Sequence, residues 1–140
     1  MLRANGIEHH VQDFEAEVRF FREVLGCPEN AYVPNTVAAF KVADNFTVIV
    51  LPRDPAHPPY TNLKGETIDI SVDLPEVDAI YERLKDKGAA IRQPPITYTT
   101  GIATGIRNFY FETPGGLTIE YEAATTEAAA QLLKQAFGQG

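Results

Sequence analysis

The feature that most constrains the fold is an internal repeat, in which the order strand, helix, strands occurs twice. The stretch from Val11 to Gly26 matches the stretch from Val72 to Gly88, with one extra residue in the second copy. Residues 45–50 likewise match residues 116–121. A chain of 140 residues is long enough for one domain with a hydrophobic core. The repeat therefore predicts a single domain made of two βαβββ modules, over residues 5–52 and 66–123.

Local signals mark the helix of each module. Asp13 is a favoured N-cap for a helix over residues 14–25, and Gly26 is suited to end it. In the second module, a proline opens a helix over residues 75–87, and Gly88 follows it. Both helices carry apolar residues at helical spacing, which predicts one buried stripe on each.

The remaining stretches are predicted as strands, connectors and one further helix. Strands are expected over residues 37–42 and 46–51, with an additional short strand near Tyr32. The proline-rich residues 52–66, which include His57, are predicted to form an extended connector. Residues 92–107 are rich in glycine, threonine and proline, and we predict a long binding loop or lid there. A C-terminal helix is expected over residues 125–137.

The end of the second module is predicted to be a β-hairpin around Pro114-Gly115-Gly116, because aromatic and β-branched residues flank this turn. Strand alternation divides the second arm into two faces. One face carries Leu117, Ile119 and Tyr121, and the other carries Thr118, Glu120 and Glu122. On alternation alone, the expected position of Glu120 is the solvated surface.

Charge and composition exclude several classes of partner. The net charge of −7 and the lack of a Lys/Arg-rich run argue against binding to nucleic acid or to an anionic membrane. No apolar run approaches the roughly 20 residues of a membrane span, and residues 1–6 contain no apolar signal core. We therefore expect a cytoplasmic protein. Cys27 is the single cysteine, which excludes an internal disulfide.

Phrases in both modules resemble the vicinal oxygen chelate superfamily, which includes glyoxalase I, the bleomycin-resistance proteins and the extradiol dioxygenases. The phrases are residues 11–16 and 20–26 in the first module and residues 77–84 and 87–88 in the second. The resemblance covers nearly all of residues 5–123. It implies an α+β fold, in which paired βαβββ modules form a cleft between curved mixed sheets, with the C-terminal helix added. It also implies a homodimer.

The hairpin is similar to the extradiol dioxygenase signature. Tyr110, Thr113-Pro114, Gly116 and Glu120 fit its spacing. In that family the glutamate is a metal ligand, and the tyrosine is a hydrogen-bonding group beside the metal. The signature also expects a histidine upstream of the tyrosine, and residues 102–109 contain none.

The metal site of the superfamily draws its ligands from the first and last strand of each module. Counting along the repeat places these positions at Gly6, Ile49, Asp69 and Glu120, and the first two cannot coordinate through their side chains. Iron, nickel and zinc sites of this kind depend on imidazole ligands. We therefore favour no metal cofactor. If a divalent metal is bound, the expected ligands are His10, Asp69 and Glu120.

These observations predict that the chain binds a small molecule in the cleft, as the bleomycin-resistance branch does. Binding would serve either sequestration or metal-independent acid/base chemistry through carboxylates. The alternative is a divalent-metal-dependent lyase, isomerase or extradiol-type dioxygenase, so the sequence leaves open whether the chain is an enzyme. The candidate pocket residues are Glu8, His10, Asp69, Tyr110 and Glu120, with residues 92–107 as a cover.

Overall fold

The computed structural model describes Leu2, residues 4–53 and residues 67–137. The chain divides into two compact units. The first comprises Met1–Glu66 and Thr113–Leu117, and the second comprises Thr67–Glu112 and Thr118–Gly140. The predictions for His57 and for most of the connector lie outside the described residues. The arrangement of both modules in a single domain stays a prediction.

Each unit contains one four-stranded mixed sheet within the described ranges. The first unit contains β1 (Gly6–Val11), α1 (Phe14–Arg19), β2 (Glu29–Val33), β3 (Val37–Ala43) and β4 (Phe46–Pro52). The second contains β5 (Thr67–Ser71), α2 (Leu74–Asp86), β6 (Ala90–Thr97), β7 (Ile106–Glu112), β8 (Thr118–Ala124) and α3 (Glu127–Ala136). The strand orders are β1-β4-β3-β2 and β5-β8-β7-β6, with β1–β4 and β5–β8 parallel and the other pairs antiparallel. The predicted α+β fold of two βαβββ modules is confirmed.

The first helix differs from its prediction in its last turns. The Asp13 carboxylate accepts a hydrogen bond from the Ala16 amide at 3.0 Å, which is the predicted N-cap. The α-helix ends at Arg19, however, and residues 20–24 form a π-helical segment. In a π-helix each amide bonds the carbonyl five residues back, and two successive phenylalanines of this segment are buried.

The prediction of a long loop over residues 92–107 is wrong. Residues 90–97 form β6, so the connection to β7 spans only residues 98–105. Pro94 and Pro95 suggested a break, because proline cannot donate a ladder hydrogen bond. Strand β6 lies at the edge of its sheet and its register shifts between Gln93 and Ile96, and both features accommodate proline.

Each sheet packs one face against the helix of its own unit. In the second unit, Val77, Ile80 and Leu84 of α2 are buried, as are Phe109, Phe111 and Ile119 of the strands. Side chains alternate across a strand, so the neighbours of these residues on β7 and β8 lie on the opposite face. That second face carries the polar residues described below. Among the described residues, no helix is long and apolar enough to cross a membrane.

Candidate functional site

Strand pairing brings three of the predicted pocket residues side by side in the second unit. Asp69 on β5 is the register partner of Glu120 on β8, and Tyr110 on β7 is the register partner of Glu120 from the other side. Register partners on adjacent strands project from the same face of a sheet. Asp69, Glu120 and Tyr110 therefore form a row across the face that points away from α2.

A third acidic residue completes a cluster on this face. Glu122 lies two residues after Glu120 on β8 and therefore shares its face. One oxygen from each of Asp69, Glu120 and Glu122 lies within 4.8 Å of the others. We call these three residues the acidic cluster. Glu120 is 8% exposed and Glu122 is 4% exposed, so the expectation of a solvated Glu120 is wrong. Asp69 is exposed and connects the cluster to solvent.

Burial controls the protonation of the cluster. Desolvation raises the pKa of Glu122 to about 9, and the hydrogen bonds to Glu120 and Asp69 and their charges act in the same direction. Desolvation also raises the pKa of Asp69, followed by the charge of Glu120, while the hydrogen bond with Glu122 opposes this rise. Glu122 is therefore a neutral carboxylic acid at pH 7 and donates to its acidic neighbours. At pH 7 the acidic cluster therefore holds one proton on Glu122.

One oxygen of the cluster remains unsatisfied. Glu122 Oε1 is buried and has no hydrogen-bond partner among the described residues. A buried polar atom without a partner costs about 1–3 kcal/mol in folding free energy. Such an atom in a native structure calls for a water, an ion or a ligand group beside it. The acidic cluster can therefore accept a further hydrogen bond from a bound molecule, water or ion.

Two amide side chains, Asn108 on β7 and Gln93 on β6, form a hydrogen-bonded row that ends on Glu120. Asn108 Nδ2 donates to Glu120 Oε2 at 2.7 Å, and Gln93 Nε2 donates to Asn108 Oδ1 at 2.9 Å. The Tyr98 hydroxyl lies 3.4 Å from Gln93 Oε1, at the long end of a hydrogen bond. Asn108 is buried. This row fixes one oxygen of Glu120 and leaves its other oxygen for the cluster.

Tyr110 adds a neutral hydroxyl next to Glu120. Burial raises the pKa of the Tyr110 phenol, and the charge of Glu120 raises it further. The phenol therefore stays protonated and can donate a hydrogen bond to a ligand or to a carboxylate. Its hydroxyl lies 3.5 Å from Asn108 Nδ2, which is at the limit of a hydrogen bond.

The other two predicted pocket residues, Glu8 and His10, lie on β1 of the first unit. Glu8 is exposed and His10 is half-buried. Their register partners on β4 are Ile49 and Leu51. The group of three described residues that could hold a metal ion contains Glu122 and does not include His10. The roles of Glu8 and His10 in a pocket stay predictions.

The strand register also corrects the first metal position that was counted from the sequence. Glu8 pairs with Ile49 in the same way that Asp69 pairs with Glu120, so Glu8 rather than Gly6 is the counterpart of Asp69. Gly6 has a different reason to be glycine. A Cβ at this position would lie 1.8 Å from the carbonyl oxygen of Thr47.

The first unit contains a second buried polar group, which was not predicted from the sequence. Glu17 on α1 is fully buried and contacts His9 through a short hydrogen bond. The Thr113 hydroxyl donates to Glu17 Oε2 at 2.6 Å, and the Gly115 amide donates to Glu17 Oε1 at 2.7 Å. This arrangement anchors the turn over residues 113–117. A signal existed, because Glu17 falls at helical spacing inside the apolar stripe that begins at Phe14.

Glu122 was missed for a different reason. Alternation placed it on the same face as Glu120, but its burial and its closeness to Asp69 depend on the pairing of β5 with β8. That pairing joins strands that are distant in the sequence. A carboxylate two residues from a candidate site residue on the same strand was the available signal.

Comparisons with known proteins identify the family of the chain. The family model of the Glyoxalase/Bleomycin resistance protein/Dioxygenase superfamily matches residues 5–121. A search of curated proteins found no significant match.

Several solved structures share the fold at low sequence identity. A glyoxalase/bleomycin resistance protein/dioxygenase from Nocardioides is 24% identical with a TM-score of 0.67, and the alignment covers 91% of this chain and 87% of that one. A lactoylglutathione lyase from Agrobacterium tumefaciens is 17% identical with a TM-score of 0.65, over 87% of this chain and 93% of that one. A hypothetical protein from S. aureus is 22% identical with a TM-score of 0.68, over 89% and 95%. With the family model matching most of its length, the chain belongs to the Glyoxalase/Bleomycin resistance protein/Dioxygenase superfamily.

Proposed function

We propose that the chain binds a small molecule on the polar face of the second sheet, with the acidic cluster holding a positively charged group of that molecule. The observation that carries the proposal is Glu122 Oε1, a buried acceptor without a partner among the described residues, inside a group of three carboxylates. Buried polar atoms are normally paired, so this acceptor favours an occupant that donates hydrogen bonds or carries positive charge.

The chemistry of the surrounding side chains supports a cationic occupant. The carboxyl groups of Asp69 and Glu120 and the Oε1 atom of Glu122 can all accept hydrogen bonds, and Asn108 already directs a donor at Glu120. An ammonium group offers three donors and a charge that the cluster can neutralise. Tyr110 lies beside Glu120, where its ring and hydroxyl can contact an aromatic or polar part of the same molecule.

Binding of this kind fits the bleomycin-resistance branch, whose members act by sequestration. The cluster also has the composition for metal-independent acid/base chemistry. Glu122 holds a proton beside Glu120 and Asp69, so it can donate to a bound molecule, while Asp69 is exposed and can exchange protons with solvent. We also propose a homodimer, which the resemblance to this family implies.

The second candidate is a divalent-metal-dependent lyase, isomerase or extradiol-type dioxygenase. The observation that favours it is the 4.8 Å grouping of Asp69, Glu120 and Glu122. Three carboxylates fit a hard ion that prefers oxygen ligands, whereas zinc, nickel and iron sites favour imidazole or thiolate. A bound ion would act as a Lewis acid that polarises an oxygen of the substrate.

A thermal-shift screen tests the proposed function. The purified protein is kept in EDTA and screened against small aromatic molecules that are matched in size, with and without a protonated amine. We expect the amines to raise the melting temperature more than the neutral molecules do. Calorimetric titration of the best amine should then show at least about a 10-fold loss of affinity in Glu120→Gln, because a charged hydrogen bond is worth about 1.5–3 kcal/mol.

Glu76→Gln is the matched control, because Glu76 is an exposed residue of α2 and its substitution makes the same change of charge. Tyr110→Phe removes only a neutral hydroxyl and should weaken binding by about 0.5–1.5 kcal/mol. The proposal fails if amines and neutral molecules bind equally, or if Glu120→Gln binds the amine as the parent does.

A further inference from the structure

We propose that Gln93 and Tyr98, which we call the neutral pair, form a second binding point on the polar face and hold an amide group of the ligand. The ligand is then an elongated molecule with a protonated amine at one end and a neutral amide at the other. The inference rests on the proposed function, because it takes the amine to be bound at the acidic cluster. It adds the chemical class of the molecule and two residues that select it.

Strand register places the neutral pair at a defined distance from the acidic cluster. Gln93 on β6 is the register partner of Tyr110 on β7. Tyr110 pairs in turn with Glu120 on β8, and Glu120 pairs with Asp69 on β5. These residues form one row across all four strands of the sheet. Neighbouring strands lie about 4.8 Å apart, so a ligand that contacts Gln93 and the acidic cluster has to span about 10–14 Å along this row.

Hydrogen bonds fix the orientation of the Gln93 amide. Asn108 Nδ2 donates to Glu120 Oε2 at 2.7 Å, which leaves Asn108 Oδ1 to accept from Gln93 Nε2 at 2.9 Å. The Oε1 atom of Gln93 is therefore the end that points away from this chain of hydrogen bonds. Among the described residues, its donor is the Tyr98 hydroxyl at 3.4 Å, which is long for a hydrogen bond. A ligand N–H can make a shorter hydrogen bond with this oxygen than Tyr98 does.

The Tyr98 hydroxyl supplies the complementary donor. A phenol can turn its O–H from one acceptor to another, so Tyr98 can donate to a ligand carbonyl while a ligand N–H takes its place on Gln93. Both residues of the neutral pair are half-buried, so they are accessible to a ligand. The pair thus offers a donor and an acceptor side by side, which is the pattern that the carbonyl and N–H of an amide complement.

The surroundings of the neutral pair favour an uncharged ligand group. Amide and phenol side chains carry no charge at pH 7, and Asn108, which holds Gln93, is buried. Burial is the largest cause of the raised pKa of the neighbouring Tyr110 phenol, and hydrogen bonds with Glu120 and Tyr98 contribute, so Tyr110 is neutral as well. A charged group at this end would lose hydration without gaining a counter-charge.

The backbone of β6 is irregular at the position of Gln93. The register with β7 shifts on both sides of this residue, and Pro94 follows it directly. Irregularities of this kind are frequent next to binding sites, where they redirect a side chain. Here Gln93 remains in register with Tyr110, and its amide reaches Asn108. The side chain is therefore held on the polar face although the strand around it is interrupted.

Three matched amines test the inference. They are phenethylamines with a para-carbamoyl, para-isopropyl or para-carboxy group, which are nearly equal in shape, and only the first carries an amide. Each is titrated calorimetrically into the full-length protein in EDTA. We expect the carbamoyl compound to bind at least about 5-fold more tightly than the isopropyl compound, because each neutral hydrogen bond is worth about 2–12-fold in affinity. The carboxy compound should bind most weakly.

Two variants assign this preference to the neutral pair. Tyr98→Phe removes one hydroxyl and leaves the hydrogen bond between Gln93 and Asn108 in place. It should reduce the advantage of the carbamoyl over the isopropyl compound by about 2–12-fold and leave the isopropyl compound bound as in the parent. Gln93→Met removes the acceptor and should reduce the same ratio. The control is Tyr81→Phe, because Tyr81 lies on α2 and packs against Phe109 on the other face. Circular dichroism checks that the variants are folded.

Equal affinity for the carbamoyl and isopropyl amines would overturn the inference, and so would an amide advantage that persists in both Tyr98→Phe and Gln93→Met. In either case the proposed function stands, provided that the amines still bind more tightly than neutral molecules of the same size. If none of the amines binds, the proposed function and this inference both fail.

Discussion

Replacing Glu122 with glutamine should change how the stability of the protein depends on pH. The carboxyl group is 4% exposed, and its pKa is raised from the ordinary value of 4.5 to about 9. Desolvation is the largest cause of this rise, so the folded protein binds a proton that the unfolded chain releases above about pH 5. Glutamine has the same shape and can still donate to Asp69 and Glu120, but it does not titrate.

The direction in which stability changes with pH follows from the linkage between proton binding and folding. A raised pKa in the folded state contributes stability that is fully present below pH 4.5 and is lost as the pH rises towards about 9. Across that window, the free energy of unfolding of the parent should fall by up to about 1.4 kcal/mol per pH unit through Glu122 alone. Between pH 6 and pH 8 the loss is therefore up to about 2.7 kcal/mol. The pKa of Asp69 is also raised, so its contribution has the same sign as the pH rises above its ordinary value of 3.8.

Urea denaturation at half-unit steps from pH 5.5 to pH 8.5, followed by circular dichroism in EDTA, measures this effect. EDTA keeps the cluster free of cations, which would otherwise stabilise the charged form. Glu122→Gln should have a flatter profile and should become more stable than the parent as the pH rises. Glu76→Gln is the control and should keep the parental slope. Parallel profiles for the parent and Glu122→Gln would refute the assignment of the buried proton to Glu122.

Three further predictions concern stability and assembly. Gly115→Ala places a Cβ 2.5 Å from Val11 Cγ1 and 2.6 Å from Glu17 Oε2. The substitution should therefore lower the free energy of unfolding by about 1–3 kcal/mol in a urea titration, and an unchanged free energy would contradict this packing. Thr113→Val removes the hydroxyl that donates to the buried Glu17 at 2.6 Å and should cost about 1–3 kcal/mol in the same assay, whereas parental stability would show that Glu17 does not depend on it. The proposed homodimer predicts twice the chain mass of 15.4 kDa in light scattering, and a monomer mass at all concentrations would exclude the dimer. If the half-exposed face of α3 is the interface, Phe137→Asp should weaken dimerisation by at least about 10-fold.

Much of the fold follows from local signals in the sequence. The cap at Asp13, the glycine stops and the Pro-Gly-Gly turn each act over a few residues, and the structure places elements close to where these signals put them. The extent of strand β6 could not be predicted from local signals. Pro94 and Pro95 disfavour a strand locally, and only the edge position of β6, which depends on the whole sheet, makes them acceptable.

The candidate site likewise contains some contacts that the sequence predicts and others that it does not. The closeness of Tyr110 and Glu120 follows from a hairpin with a short turn, which the sequence shows directly. The closeness of Asp69 and Glu122 to Glu120 depends on the parallel pairing of β5 and β8, which only the fold determines. The anchoring of Thr113 by Glu17 spans 96 residues of sequence and is a contact that no local pattern reveals.

The two modules use the same strand register for different chemistry. Glu8 and His10 pair with Ile49 and Leu51 on β4, as Asp69 and Ser71 pair with Glu120 and Glu122 on β8.

The last strand of the second module therefore carries two carboxylates where the first carries two aliphatic side chains. An isolated buried carboxylate is costly, and a second one beside it is costlier still, so such a pair persists only where a proton, an ion or a ligand compensates it. A repeated fold alone requires no such pair, because the first module forms its sheet with aliphatic residues at both places. The acidic cluster is thus better explained by what it binds than by what it contributes to folding.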